Sequence, residues 1–298
     1  MEGETGTAEH VGIAASQTLD RAVQVLKLVA GSGAEGMALS EIVRLTNLTK
    51  PTARRLLLAL IANGLVEQHI EKRRYYAGLE TYALGVLAAE RFNVHRLAAD
   101  SLTRIAARVG DAALLIVQRG YETICLAREE GTYPLRSHVL QPGDRHPIGC
   151  GAGGLVLLSM LSDAEVNQAL TFNAERLATD YAGVTPELLM RQVRETRAQG
   201  YGLNRGLIVK GSCGVGISIY DSRSATPAAL VIAGVESRFT DDRIEEMVAI
   251  LRDEKARLEV RMQRFDAAPS SSKLKTTKEG PAESKRQRKH SSGDLGHV

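Results

Sequence analysis

Two groups of residues in this 298-residue chain have the types and spacing that chemistry needs. The first is basic: Lys50, Arg54 and Arg55 stand close together, and the run Glu71-Lys72-Arg73-Arg74 follows. Clustered cations neutralise the phosphates of a nucleic acid, and an arginine can pair bidentately with guanine O6 and N7. The second is Gly149-Cys150-Gly151-Ala152-Gly153-Gly154, directly before an apolar run. Unhindered backbone N–H groups at a helix start attract an anion such as a carboxylate. Further on, Asn204-Arg205 and Gly211-Ser212-Cys213-Gly214 offer an amide, a guanidinium, a hydroxyl and a thiol to the same ligand. A plainer alternative stands beside this one: the glycines let a helix pack closely on a sheet, and Cys150 and Cys213 are ordinary buried apolar residues.

The basic group needs elements to position it. Leu39, Ile42, Val43 and Leu45 form an apolar face at helical spacing, with Ser40 as a cap. Thr49 stands where a second helix would be capped, and Pro51 is tolerated in its first turn. That helix is expected over about Lys50–Asn63, with Ala53, Leu56, Leu57, Leu60 and Ile61 inward, until Gly64 ends it. Leu65–Ile70 reads as a strand, Glu71–Arg74 as a turn and Tyr75-Tyr76 as the returning strand. An earlier helix, after Gln17-Thr18, buries Leu19, Ala22, Val23, Leu26 and Val29. The pattern is a winged helix-turn-helix whose recognition helix presents its N-terminal half to DNA. The candidate contact set is Ser40, Thr49, Lys50, Pro51, Thr52, Arg54, Arg55, Arg73 and Arg74. Within it, Thr52 and Arg55 are assigned to base edges, Lys50 and Arg54 to phosphates, and Arg73-Arg74 to a wing on the minor groove or backbone.

Charge supports this placement. Residues 40–76 hold seven Lys/Arg against three Glu, whereas residues 1–95 balance at ten each and 96–265 at twenty-one each. The positive excess therefore sits on the motif and on the tail, where residues 266–298 hold seven basic against four acidic residues.

The expected organisation is a disordered leader (1–16), a winged helix-turn-helix (17–78), a linker helix (79–95), an effector-binding domain (96–265) and a disordered basic tail (266–298). Leu79–Arg91 and His95–Arg108 read as helices. AALLIVQRG, ETICLAREEG and PLRSHVL read as strands, GYGLNRG as a strand or loop, and VGISIYDS and AALVIAGVES as two more strands. Helices are expected over Leu155–Leu161, Asp163–Leu170 and Pro186–Gln199, and from Arg243 to about Phe265 after Thr240-Asp241-Asp242. Strands, interposed helices and strands again make an α+β domain with one antiparallel sheet.

Other chemistries fail on context. The glycine loop satisfies Gly-x-Gly-x-x-Gly, but QPGDRHPI before it carries two prolines where a dinucleotide site needs a buried parallel strand. No Gly-x-Ser-x-Gly elbow occurs, and His138 and His146 lack an evident nucleophile, His146 reading as a turn or pocket-rim residue. Cys125, Cys150 and Cys213 are too few and too scattered for a disulfide framework or a zinc site. Neither a metal nor a cofactor is expected, nor an enzyme. No apolar run approaches the ~20 residues that cross a bilayer, so a soluble cytoplasmic protein without a membrane partner is expected.

The blocks TLDRAVQVLKLVA, LSEIVRLTNLTKPTARRLLLALIANGLVE, YYAGLETYALG, PGDRHPIGCGAGGLVLLSML, RAQGYGLNRG and GVGISIYDS…AALVIAGVESRFTDDRI resemble, in this order and spacing, the IclR-type transcriptional regulators. The likeness spans about residues 17–262. It implies a bacterial regulator with an N-terminal winged helix-turn-helix, a helical linker and a C-terminal GAF-like effector domain. It also implies a homodimer or homotetramer on an imperfectly palindromic double-stranded operator. The implied effector is a small organic or aromatic acid, held by Cys150, Gly151, Ala152, Gly153, Gly154, Asn204, Arg205, Ser212 and Cys213. Two departures stand out: the lysine common after the family's Pro-Leu pair is absent from Gly151–Val156, and Asn204-Arg205 replaces an acidic pair of some members.

Overall fold

The computed structural model describes residues 17–89, 94–135, 140–221 and 226–267. The leader at 1–16 and the tail from 268 onward lie outside the described residues, as do 136–139 of the expected PLRSHVL strand.

The N-terminal unit is built on α1 (Gln17–Gly31), α2 (Leu39–Thr46) and α3 (Lys50–Ala62). On α1 the inward stripe is Ala22, Val25, Leu26 and Val29, at three- and four-residue intervals; Leu19 and Val23, expected inward, are exposed. The cap of α2 also differs from expectation. Glu41 reaches back to the Ala38 N–H at 2.7 Å, while Ser40 is exposed inside the first turn and caps nothing. Asn47, in the left-handed conformation, turns the chain into α3, whose Thr49 oxygen accepts the Thr52 N–H. Gly64 has φ +67°, as a residue just past a helix end requires. Strands β1 (Met37–Ala38), β2 (Val66–His69) and β3 (Arg74–Ala77) then form the wing in the order β1-β3-β2.

Helix α4 (Leu79–Ala89) leaves this unit, and α5 (Val94–Val109) enters the second. There, β4 (Ala112–Arg119), β5 (Glu122–Glu129), β6 (Arg145–Pro147), β7 (Gly202–Arg205), β8 (Ser212–Asp221) and β9 (Thr226–Val235) form one antiparallel sheet in the order β6-β5-β4-β9-β8-β7. Among the described residues the third strand of this unit in chain order is Arg145–Pro147, within the stretch QPGDRHPI. Helices α6 (Gly151–Ser159), α7 (Asp163–Phe172), α8 (Ala174–Asp180) and α9 (Pro186–Gln199) cover one face, and α5 and α10 (Asp241–Ala267) cover the other. Alternation divides β4, β5 and β9 between two cores: on β4, Ala113, Leu115 and Val117 face α5 and α10, whereas Ala112, Leu114 and Ile116 face α6.

One ionic cluster ties the elements around the end of α5. The Asp111 carboxylate, 1% exposed, accepts Arg238 Nε at 2.8 Å and Arg243 Nη2 at 3.0 Å. Both arginines also donate to the Val109 carbonyl, an unpaired end of α5, and Arg238 lies over the Tyr133 ring at 3.8 Å. Removing one partner of a buried charge cluster leaves the others uncompensated. Asp111→Asn should therefore lower the unfolding free energy by about 3 kcal/mol, measured by chemical denaturation, whereas Asp253→Asn, whose carboxylate is 61% exposed, should change it by less than about 1 kcal/mol.

Candidate functional site

The basic face comes first. Ala53, Leu56, Leu57 and Leu60 of α3 are buried, so Lys50, Pro51, Arg54 and Arg55 are left exposed on the opposite side and Thr52 half-buried at the helix start. The Thr49 and Thr52 hydroxyls are 2.8 Å apart, which ties the Thr52 side chain to the cap. Arg73 is exposed at the wing tip with φ +50°. Arg74 is engaged differently: it belongs to β3, and its guanidinium donates to the Glu35 and Gly36 carbonyls and to Glu41 at 3.2 Å. It fastens the wing to the start of α2, so the two arginines that look alike in sequence face different surroundings.

The second group converges on a cavity between α6 and the sheet. Its volume is about 50 Å³, room for about four waters. Cys150 through Gly154 line it, together with Asn204 and Ser212 and apolar side chains that include Leu114, Ile116 and Val231. Helix α6 begins four residues earlier than its apolar run suggests, at Gly151, and Cys150 supplies no side-chain cap. The first-turn N–H groups of α6 thus stand at the cavity with the partial positive charge of a helix N-terminus.

The glycines serve two purposes. A Cβ on Gly153 would lie 2.9 Å from Ile116 and Val231, and one on Gly154 would lie 3.1 Å from the Gly149 backbone. These two allow close packing, the plainer of the two expectations. Gly151, with φ +71°, lies open: a Cβ there would meet nothing within 4 Å.

Strand alternation sorts the remaining candidates. On β7, Asn204 faces the cavity, and its Oδ1 accepts the Leu207 N–H at 3.2 Å. Arg205, next in line, points to the opposite side, where it donates to the Phe239 carbonyl at 2.8 Å and pairs with Asp241 at 2.6 Å. On β8, Ser212 donates to the Val209 carbonyl at the cavity edge. Cys213 borders the cavity too, but its side chain joins Val215 and Ile217 in the core beneath α10. The expectations that the Arg205 guanidinium and the Cys213 thiol serve the ligand are therefore corrected: a period of two permits only one side chain of each adjacent pair to face inward.

Three polar residues of the wall, Thr123, Arg128 and Asp144, were not among the candidates, and His146 stands beside them as the pocket-rim residue expected. Arg128, 3% exposed, lines the cavity because β5 carries a bulge: Leu115 pairs with Ala127 and Ile116 with Cys125, leaving Leu126 as the extra residue. The bulge rotates Arg128 onto the same face as Cys125. No feature of the sequence signals it. Asp144 and His146 complete the wall, and His146 Nδ1 lies 2.7 Å from the Tyr181 hydroxyl. Burial pushes the Cys125 and Cys150 thiols up to about 12, so neither is a thiolate nucleophile near neutral pH. Among the described residues no His/Cys/Asp/Glu group is arranged to hold a metal, and no helix is long and apolar enough to cross a membrane.

Comparison with known proteins decides the family. The C-terminal domain of the bacterial transcriptional regulator IclR matches residues 86–258, and the IclR helix-turn-helix domain matches residues 18–69. The chain belongs to the IclR family of transcriptional regulators. The HTH-type transcriptional regulator KipR of Bacillus subtilis is 27% identical over 218 residues, 73% of this chain and 86% of that protein. XynR of Escherichia coli, another HTH-type transcriptional regulator, is 28% identical over 225 residues, 76% of this chain and 88% of its own length. The fold is shared with an IclR regulator from Alicyclobacillus acidocaldarius at a TM-score of 0.68 and 23% identity, covering 82% of this chain and 98% of that one. An IclR homologue from Microbacterium hydrocarbonoxydans, solved with 4-hydroxybenzoate, gives a TM-score of 0.68 at 22% identity, covering 83% of this chain and 99% of its own. This IclR-family chain is therefore a transcriptional regulator with an N-terminal helix-turn-helix and a C-terminal α+β domain.

The cavity wall also holds a buried imidazole, His146, whose titration should couple stability to pH. Burial, opposed by Asp144 and reinforced by Arg176, lowers His146 from the ordinary imidazole value of 6.5. The unfolded chain then binds the proton more readily, so the contribution of His146 to stability is full above about 6.5 and is lost as pH falls toward the depressed value. Thermal unfolding followed between about pH 7 and 5 should show a steeper loss of Tm for the native protein than for His146→Gln.

Proposed function

We propose that this IclR-family regulator senses a small organic acid in its C-terminal domain and transmits the binding event to a winged helix-turn-helix on an operator. The observation that carries the reading is the cavity at the start of α6, where the uncapped helix end meets Asn204, Ser212 and Arg128 within apolar walls. A carboxylate suits the helix end, and the apolar walls suit the rest of a short organic molecule. The 4-hydroxybenzoate in the Microbacterium homologue supports an organic acid here too. At about 50 Å³ the cavity is well below the volume of an ordinary ligand pocket, so an acid enters only as its walls give way.

On the operator, Thr52 and Arg55 read base edges, and Lys50, Arg54 and the α2 hydroxyl of Ser40 hold phosphates. Thr49 and Pro51 fix the start of the recognition helix, and Arg73 carries the wing to the duplex while Arg74 braces it from behind. The palindromic arrangement follows from self-association. Helix α4 has no buried residue, and Leu79, Tyr82, Val86 and Leu87 are all more than half exposed. A helix that is apolar on all sides is stable in water only when covered. Residues of a second copy cover it in a homodimer or homotetramer, and a two-fold pair of winged helices matches an imperfect palindrome. The regulator works in the cytoplasm, where its DNA is.

Arg55→Ala should weaken operator binding by about 1–3 kcal/mol in a titration with DNA selected by the protein from a random pool, with the unfolding midpoint unchanged. Unaltered affinity would remove Arg55 from base reading. Saturating acid should raise Tm and shift operator affinity, and the acid should be recovered intact. Product formation would point to an enzyme instead, and operator binding indifferent to every acid to a constitutive DNA-binding protein.

A further inference from the structure

A cation in the cavity wall has surroundings that suggest more than passive lining. The Arg128 guanidinium is almost fully buried, and its Nε donates to Glu130 Oε1 at 2.7 Å and its Nη1 to the Leu140 carbonyl at 2.9 Å. Glu130 is a third exposed, so its carboxylate has water beside it to turn to. Arg128 cannot do the same: a buried guanidinium without a counter-charge is strongly disfavoured. Any anion that enters the cavity can therefore replace Glu130 while Arg128 stays neutralised. Asp144 on the same wall repels an incoming carboxylate from its own end and so favours an orientation toward Arg128.

The position of Glu130 gives this exchange a consequence. Arg128 lines both the α6 cavity and a smaller second cavity, and Glu130, Gly131, Gly110 and Asp111 line the latter. Gly131 packs directly on the chain leaving α5: a Cβ there would collide with the Gly110 carbonyl group. Tyr133 donates its N–H to that same Gly110 oxygen at 2.9 Å. The segment following β5 is thus fastened at one point to Arg128 and at the next to the end of α5, the helix that follows α4 in the chain.

Resting on the sensor reading above, we propose that Arg128 is the carboxylate-binding residue of the cavity and that Glu130 is its resident counter-ion, displaced when a carboxylate ligand binds. Release of Glu130 loosens residues 129–133 against Gly110 and changes the seating of α5. The two states differ in which carboxylate Arg128 holds, which supplies the differential affinity that allosteric coupling requires.

The test uses the full chain and three acids, pyruvate, benzoate and 4-hydroxybenzoate, each beside its uncharged amide, with calorimetric titration and operator binding as readouts. At least one acid binds, and its amide binds about tenfold more weakly or worse. Arg128→Gln loses about tenfold or more in acid affinity, and Arg128→Lys recovers part of it. Glu130→Gln, which removes the competing charge, binds the acid several-fold more tightly. Without acid it already shows operator affinity shifted toward the acid-bound value. A merely structural Glu130 would give neither result. If an acid binds but Glu130→Gln leaves its affinity unchanged or weaker, the exchange is overturned while the sensor reading stands. Equal binding of acid and amide has the same meaning. Failure of all three acids to bind at about 10 mM overturns both.

Discussion

The C-terminal domain depends on how closely α6 can approach the sheet. Side chains on both partners normally hold a helix off the sheet it covers, but here glycines on α6, β7 and β8 stand in the contact. Gly153 lies against Ile116 and Val231, a Cβ on Gly202 would reach within 2.5 Å of the Ala152 carbonyl oxygen, and one on Gly216 within 3.4 Å of the Ala152 carbonyl carbon. Glycine on both partners lets backbone meet backbone, which carries the first turn of α6 into the layer instead of over it. The cavity exists because this approach stops at Gly151, where the helix begins and space remains. Sheet packing and ligand chemistry are thus two results of one glycine-rich segment, and the two readings of that segment apply to different residues within it.

Around this contact the charges are arranged so that few stand alone in the interior. Asp111 is shared by Arg238 and Arg243, and Glu254, 1% exposed, is held by Arg104 at 2.6 Å. The Arg104 pair lowers Glu254 against the opposing effect of its burial, so the carboxylate stays charged between α5 and α10. Both clusters grip α5, one at its end and one along its length. Both clusters also involve α10, through Glu254 and Arg243, so the two helices on this face of the sheet are fastened to each other. In the N-terminal unit the corresponding fastening is Arg74 on Glu41 and the Gly36 carbonyl, which joins wing to helix.

Much of this was legible in the residues. Helical periodicity located α3 with its Thr49 cap, alternation located β4, β5, β8 and β9, and the order of elements implied one antiparallel sheet with helices. Short elements with weak periodicity were the ones that escaped. Strand β6 has three residues, the last of them Pro147, and pairs with the edge of β5, while α8 has seven residues and rests on the single buried Leu177. Ser40 is not the cap because the helix begins at Leu39 with Ala38 at its N-cap, which leaves Ser40 inside the first turn.

The sequence by itself determined the types and the periods: a basic, proline-started helix with its apolar face turned inward, a glycine run before an apolar one, and strands with one residue in two directed to each core. Those features are local, since they follow from backbone geometry over a few residues. Which polar side chain reaches the cavity was decided only by the tertiary structure. Asn204 and Ser212 enter while the side chains of Arg205 and Cys213 do not, because pairing with neighbouring strands fixes the face that each presents. Arg128 enters because one extra residue at Leu126 reverses the alternation of β5, and a bulge is a property of two paired strands that neither strand's sequence contains.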